Sequence, residues 1–193
     1  MQSANPASNI AIGTFAGPVS GLNYRTPSLS GTTNERGEFS YREGEAVTFY
    51  IGALVIGSTE GASRINLAQL VNIVDGKIER LHIPAITNLA RLVLSLDQAG
   101  EIEGGVTIAA SVHDLVAPGF INFNQPEDAF AADPAIVALL DKLNAAPSVF
   151  TAKQPRQLLH GATARNELRR NIRCIIKQTD VRVPMRDGSY VCA

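Results

Sequence analysis

The chain has 193 residues, enough for one sizeable hydrophobic core or two small ones. Hydrophobic residues make up 45% and charged residues 18%, which excludes an intrinsically disordered chain. A formal net charge of -1 favours neither nucleic acid nor an anionic membrane as a partner, and 6% aromatic residues without tryptophan argue against a sugar-stacking platform.

The sequence contains neither a membrane-spanning segment nor a visible signal peptide. A transmembrane helix needs a run of about eighteen or more apolar residues, and none is present. The N-terminus lacks a basic segment followed by an apolar core, and the polar residues 2–8 are typical of a mature exported protein whose signal has been removed. We therefore expect a secreted, periplasmic or cell-surface protein.

The first third of the chain predicts an arm followed by β structure. Residues 1–18 are small, polar and proline-containing, so we expect a flexible arm. From 19 to 60, β-branched and aromatic residues alternate with polar ones between glycine-bearing turns, as in Glu38–Tyr41 and Val47–Ile51. This period of two predicts a half-buried antiparallel β module.

Residues 61–119 should complete this module with short helices and a hairpin. An early short helix is predicted over Asn66–Val74, where apolar residues recur at helical spacing. In the stretch Asn88–Asp97, apolar residues at positions i, i+3, i+4 and i+7 predict a second helix that Gly100 would end.

The pattern from 120 to 178 is helical. Asp133 should cap a helix that has Pro134 at its first position, and a longer helix should run from about 155 to 178. Residues 179–193 return to strand character. The order of elements predicts an α+β fold that ends in one orphan C-terminal strand.

The β segment resembles a module repeated in bacterial surface lipoproteins and adhesins. The shared positions are Val19, Gly21, Tyr24, Thr26, Ser28, the run Ser30–Thr33, Gly37, Phe39, Tyr41, Gly44, Val47, Phe49, Ile51 and Gly52. A later motif of the same lipoproteins is similar to Asn88–Asp97 followed by Gly105–Ile108. The resemblance implies a small prealbumin-like β-sandwich at the cell surface, with a scaffolding role.

The run Val181–Gly188, with the sequence VRVPMRDG, resembles the start of the catalytic domain in α/β-hydrolases of the X-prolyl dipeptidyl aminopeptidase and cocaine-esterase-like family. In that family the run continues into a second strand and, much later, the nucleophilic serine. The resemblance implies that residues 179–193 are the opening strand of an absent catalytic domain. No catalytic residue is carried over to this chain.

Candidate catalytic residues have structural alternatives. No Gly-x-Ser-x-Gly elbow occurs. His113 and Asp114 would form a base and its orienting carboxylate only if they met in space, whereas Ser111 as a helix cap explains the same residues. The other histidines, His82 and His160, are expected at a loop edge and on a solvated face.

Metal and disulfide candidates are few, and we predict no cofactor. Calcium ligands are suggested by Asp97, Glu101 and Glu103, but a helix C-terminal turn at Gly100 explains these residues without a metal. A disulfide between Cys174 and Cys192 requires export, and the alternative for Cys174 is a small buried side chain.

One basic cluster lies on the last predicted helix. Its five cations are Arg165, Arg169, Arg170, Arg173 and Lys177. Aromatic residues and a basic overall charge, which a nucleic-acid surface would have, are missing. The cluster is either a solvated face or an interaction face that docks on the absent catalytic domain.

Three functional hypotheses follow from these patterns. The first is an N-terminal accessory or scaffolding region of a secreted serine hydrolase acting on ester or amide bonds, whose partner is the catalytic α/β-hydrolase domain or a second copy bound through the C-terminal strand. The second is a free-standing cell-surface interaction module, similar to adhesins and lipoproteins, without catalysis. The third is a small esterase of unfamiliar design.

Overall fold

A computed structural model describes residues 9–71, 81–117, 119–152, 154–176, 182–184 and 190–192, with side chains up to Asn171. The strands are β1 (Ile10–Phe15), β2 (Val19–Ser20), β3 (Asn23–Arg25), β4 (Ser30–Thr32), β5 (Glu38–Arg42), β6 (Ala46–Ile51), β7 (Leu54–Glu60), β8 (Arg64–Ile65), β9 (Val106–Thr107), β10 (Arg182–Pro184) and β11 (Tyr190–Cys192). The α-helices are α1 (Pro84–Ser95), α2 (Ala110–Leu115), α3 (Glu127–Ala131), α4 (Pro134–Ala145) and α5 (Gly161–Ile176). The α+β class predicted from the sequence is confirmed.

Two sheets carry the β module. One has the strand order β5-β1-β8, with β1 antiparallel to β5 and parallel to β8, and the other has the order β4-β3-β6-β7 with all neighbours antiparallel. Alternate residues of β5 and β6 are buried, as the period of two predicts. The rings of Phe15 and Phe39 from the first sheet contact Phe49 of the second, with centroids 4.9 and 5.3 Å apart. An aromatic layer therefore joins the two sheets.

Residues 10–15 are a central strand and not part of a flexible arm. The segment β1 pairs with β5 on one side and with β8 on the other, and Phe15 is buried in the core. The small and polar composition of residues 1–18 concealed the alternation of Ile10, Ile12 and Thr14 with Ala11, Gly13 and Phe15. Gly13 is required there, because a Cβ would lie 2.3 Å from the Phe39 ring.

A single turn of 3₁₀ helix, Leu67–Leu70, replaces the longer helix predicted over Asn66–Val74. Its capping box is complete: the Asn66 side chain accepts from Ala68 N–H, and the Gln69 side chain accepts from Asn66 N–H. The predicted residues beyond Val71 lie outside the described part of the chain.

The helix α1 lies at the centre of the molecule. It begins at Pro84, the favoured first position, and every residue from Ile86 to Ser95 is buried. A polar side chain on a helix that is buried on all sides needs a hydrogen-bonding partner inside the protein. The polar side chains of α1 therefore determine how the surrounding segments attach.

The two long C-terminal helices agree with the sequence patterns except at one boundary. Asp133 caps α4 through Ala135 N–H, and Pro134 is its first residue, as predicted. The helix α5 begins at Gly161 and not near 155. Backbone groups of Arg156 and Leu159 are instead bonded to the side chains of Asn144 and Ser95, which hold this stretch extended.

The C-terminal strand is not an orphan. Residues Arg182–Pro184 pair antiparallel with Tyr190–Cys192, so β10 and β11 form a two-stranded hairpin. Each of the two strands is therefore hydrogen-bonded to the other along one edge.

The buried hydrophobic residues of the described chain form one cluster. It runs from the aromatic layer through α1 to Phe130, Ile136 and Leu168 of the later helices. The β module and the helices thus share a core. Among the described helices, none has the length and apolar character needed to cross a membrane.

Candidate functional site

The imidazole of His113 connects α2 to two turns of the β module. Its Nδ1 accepts a hydrogen bond from Gly52 N–H at 2.8 Å and lies 3.2 Å from the side-chain amide of Asn23. Its Nε2 lies 2.7 Å from the carbonyl oxygen of Gly21. A backbone N–H only donates and a carbonyl only accepts, so the ring is neutral, with its proton on Nε2.

The surroundings of His113 differ from both sequence-based alternatives. Its partners are backbone groups and Asn23, while Asp114 is exposed to solvent. The helix begins at Ala110 with Ala109 at the N-cap position, so Ser111 lies inside the helix and is not its cap. The hydroxyl of Ser111 lies 3.4 Å from Ser148 O. In the structure His113 therefore holds α2 against two turns of the β module.

The two remaining histidines are exposed near helix ends. His82 lies just before α1, with Nε2 3.4 Å from a guanidinium nitrogen of Arg169. His160 lies just before α5 and its Nδ1 accepts from Ala162 N–H at 3.3 Å. Neither imidazole is in hydrogen-bonding contact with the ring of His113.

The carboxylate of Asp97 organises the loop that follows α1. Its Oδ2 accepts from Gly100 N–H at 2.6 Å and from Glu101 N–H at 2.9 Å, and its Oδ1 accepts from Thr107 N–H at 2.8 Å. Three N–H donors directed at one buried carboxylate fit a loop-closing aspartate without a metal. The carboxylates of Glu101 and Glu103 belong to exposed residues.

The described residues contain no group of three or more His, Cys, Asp or Glu side chains placed to hold a metal ion. The calcium candidates Asp97, Glu101 and Glu103 are thus neighbours in sequence without forming such a group. The side chains of Cys174 and Cys192 lie outside the described residues, and so does the disulfide considered between them.

The described arginines of the basic cluster have partners within the chain. Arg165 forms an ion pair with Glu127 of α3. Arg169 donates to the side chain of Asn166 at 2.9 Å, and Arg170 lies 3.5 Å from the carboxylate of Glu167. The side chains of Arg173 and Lys177, the other members of the proposed interaction face, are outside the described residues.

Two buried polar side chains of α1, Asn88 and Arg91, form what we term the α1 clamp. The amide nitrogen of Asn88 donates to Phe123 O and Gln125 O at 2.9 and 2.8 Å. Its Oδ1 accepts from the Arg91 guanidinium at 3.1 Å. The Asn88 side chain thereby holds the irregular segment before α3 against α1.

The Arg91 guanidinium extends the α1 clamp to a second segment. Its Nε donates to Leu159 O at 2.8 Å and its Nη1 to Glu127 O at 2.7 Å, and its carbon lies 5.8 Å from the centre of the Phe130 ring. Burial lowers the pKa of Arg91, and the Glu127 carboxylate partly opposes this. Arg91 thus joins α1, α3 and the stretch before α5.

The α1 clamp was missed as a feature, although the sequence contained a signal for it. Asn88, Arg91 and Ser95 recur at i, i+3 and i+7, which is a polar stripe along an otherwise apolar helix. Ser95 continues the stripe: its hydroxyl donates to Arg91 O at 2.6 Å and accepts from Leu159 N–H at 2.7 Å. A polar stripe on a helix buried on all sides indicates contacts with irregular backbone.

Comparison with known proteins gives one partial likeness. A segment of 59 residues, 30% of this chain, is 46% identical to the protein named "Putative lipoprotein YghJ" of Escherichia coli O78:H11 (strain H10407 / ETEC). The match covers 4% of that protein's length. No protein-family model matches the chain. No solved structure gives a significant match.

Proposed function

We propose that this chain is a non-catalytic scaffolding and interaction module of a longer exported protein. In this proposal the two sheets joined by the aromatic layer are a prealbumin-like β-sandwich displayed at the cell surface. The likeness of a 59-residue segment to a lipoprotein many times longer supports a module within a larger polypeptide. The resemblance to repeated modules of surface lipoproteins and adhesins points the same way.

The observation that carries the proposal is the structural use of the groups that could do chemistry. His113 has both ring nitrogens bonded to the β module, and Asp97 has both carboxylate oxygens bonded to backbone N–H groups. A general base must instead reach the proton that it abstracts from a substrate. These two residues are better suited to holding the module together.

An esterase assay tests the absence of catalysis. We expect the purified chain to give no turnover of p-nitrophenyl esters above the buffer rate. Turnover that persists through purification and disappears in His113→Gln, while far-UV circular dichroism shows the fold retained, would instead support the small-esterase hypothesis.

Protease treatment of intact cells tests the location. In the native organism, an exported module is expected to be cleaved by added protease while a cytoplasmic marker stays whole. Protection of the module in intact cells, with cleavage only after lysis, would argue against surface display.

A second proposal is that the neighbouring domain is a serine hydrolase. It is supported by the VRVPMRDG resemblance and by the pairing of β10 with β11, since the family continues from its first strand into a second. The two strands pair with each other, and in the described residues they join neither sheet of the β module. In this proposal the outer edges of the hairpin are available to a catalytic domain.

Mass spectrometry of the native protein tests this second proposal. A native polypeptide in which a serine-hydrolase sequence follows residue 193 would support it. A native mass equal to that of these 193 residues would exclude it, and would also contradict the longer polypeptide of the first proposal, leaving a free-standing module.

A further inference from the structure

An apolar pocket of about 250 Å³ opens where the start of β7 meets α2 and α4. Leu54 contributes from the first position of β7, Val116 from the C-cap of α2, and Ala138 and Leu139 from α4. Pockets for drug-sized molecules usually measure roughly 300–1,000 Å³, so this one suits a smaller ligand such as a single short acyl chain.

The charge of the pocket comes from one side chain. Lys142 is the charged residue among those that line it, and the others are apolar side chains or glycine. Its Nζ donates to Leu115 O at 2.7 Å. An ammonium has three N–H groups, and this bond uses one of them. The lining thus combines an apolar surface with a net positive charge.

An exposed aromatic ring also lines the pocket. Phe120 is 86% exposed, the highest value among the exposed large hydrophobic residues of the described chain. A ring so exposed at the edge of an apolar concavity would gain from any ligand that removes it from water.

We propose that this pocket binds a medium-chain carboxylate, with the alkyl tail against Leu139 and Phe120 and the carboxylate on the Lys142 ammonium. The tail matches the apolar lining, and the anionic head matches its one cation. The proposal is independent of the surface-module function and stands whether or not the chain is exported.

Isothermal titration of the whole chain with octanoate tests the proposal, with octanol as the uncharged control ligand. Lys142→Met removes the cation and keeps an apolar stem. Ala138→Trp fills the pocket. Arg36→Met is the matched control, because it also removes one cation from an exposed side chain but lies in a turn of the β module outside the pocket.

We expect saturable binding of octanoate to the wild type and to Arg36→Met, about three- to tenfold weaker binding to Lys142→Met, and none to Ala138→Trp. Octanol should bind Lys142→Met as well as it binds the wild type. Circular dichroism and thermal unfolding establish that each variant is folded.

Three results would overturn the proposal. One is the absence of saturable octanoate binding to the wild type. Another is equal octanoate affinity of the wild type and Lys142→Met. The third is unchanged binding in a folded Ala138→Trp variant, which would place the ligand elsewhere, including between two copies of the chain.

Discussion

At the scale of single residues, Arg91 is the charge on which the helical region most depends. Its side chain is only 6% exposed, and it satisfies backbone carbonyls of Leu159 and Glu127. We expect Arg91→Met to lower the free energy of unfolding by about 3 kcal/mol, because two partly buried carbonyls and the buried Asn88 Oδ1 lose their donor. Urea unfolding measures this loss.

The matched control is Arg36→Met. The Arg36 side chain is 81% exposed and pairs with Glu38 at 3.6 Å. An exposed pair contributes little, so this variant should stay within about 0.5 kcal/mol of the wild type. Similar losses in the two variants would mean that the α1 clamp does not stabilise the fold.

The tautomer of His113 is a second prediction at this scale. Near neutral pH, ¹⁵N NMR of the labelled protein should show an unprotonated Nδ1 and a protonated Nε2 for His113, because Gly52 N–H donates to the first and Gly21 O accepts from the second. The exposed rings of His82 and His160 serve as internal references. A protonated Nδ1 on His113 would contradict the described geometry.

At the scale of elements, Gly21 determines how closely β9 approaches the β module. Gly21 has φ +80°, and a Cβ there would lie 2.2 Å from Ile108 O. Gly44 has the same φ with no atom within 4 Å of an added Cβ. Alanine at either position adopts an unfavourable left-handed backbone, which costs about 1–2 kcal/mol. We therefore expect Gly44→Ala to lose that amount and Gly21→Ala to lose clearly more.

Urea midpoints of the two glycine variants test this expectation. Because both glycines have the same φ, the backbone cost is the same in the two variants. The difference between their urea midpoints therefore reports the close approach of Gly21 to Ile108. Equal midpoints would indicate that β9 moves away from the β module at no cost.

The cap of α4 predicts a dependence of stability on pH. The pKa of Asp133 is lowered mainly by a hydrogen bond from the Gln125 side chain, and to a smaller extent by the hydrogen bond from Ala135 N–H. A carboxylate whose pKa is lower in the folded state stabilises the fold fully above its unfolded pKa, and this contribution is lost as the pH falls through the folded pKa.

Asp133→Ala should therefore lower the free energy of unfolding by about 1 kcal/mol near neutral pH, the usual value for a lost N-cap. Asp133→Asn keeps an acceptor at the cap and should lose less. Relative to Asp133→Asn, the wild type should lose its advantage as the pH falls below about 4. A difference between the two proteins that stays constant down to strongly acid pH would contradict this assignment.

The elements that local patterns encode were predictable from the sequence, and those that distant contacts create were not. The alternation in β5 and β6 and the Asp133-Pro134 start of α4 are local, and the structure confirms them. The start of α5 depends on Asn144 and Ser95, which lie 12 positions from Arg156 and 64 positions from Leu159, respectively. Propensity alone extended that helix too far toward the N-terminus.

The same distinction between local patterns and distant contacts applies to the site residues. The histidine at 113 is visible in the sequence, but its partners Gly21, Asn23 and Gly52 are 61 to 92 positions away. Asp114 follows His113 directly in the sequence, and this adjacency suggested a catalytic base with its orienting carboxylate. The folded chain pairs the imidazole with the β turns, which is a contact between elements.

At the scale of the whole molecule, the shared core makes a prediction about cooperativity. Side chains of the β module and of the helices belong to one hydrophobic cluster, and His113 adds a polar link between the two regions. A scaffold with a continuous core should unfold in one step. Regions with separate cores would unfold independently.

Two-probe urea unfolding of the whole chain tests this account most directly. Tyrosine fluorescence reports mainly the β module, because three of the four tyrosines (Tyr24, Tyr41 and Tyr50) lie there and the chain has no tryptophan. Circular dichroism of the peptide bond reports the helices. We predict coincident transitions with one midpoint. A helical transition clearly separated from the tyrosine transition would show two units and contradict the single scaffold.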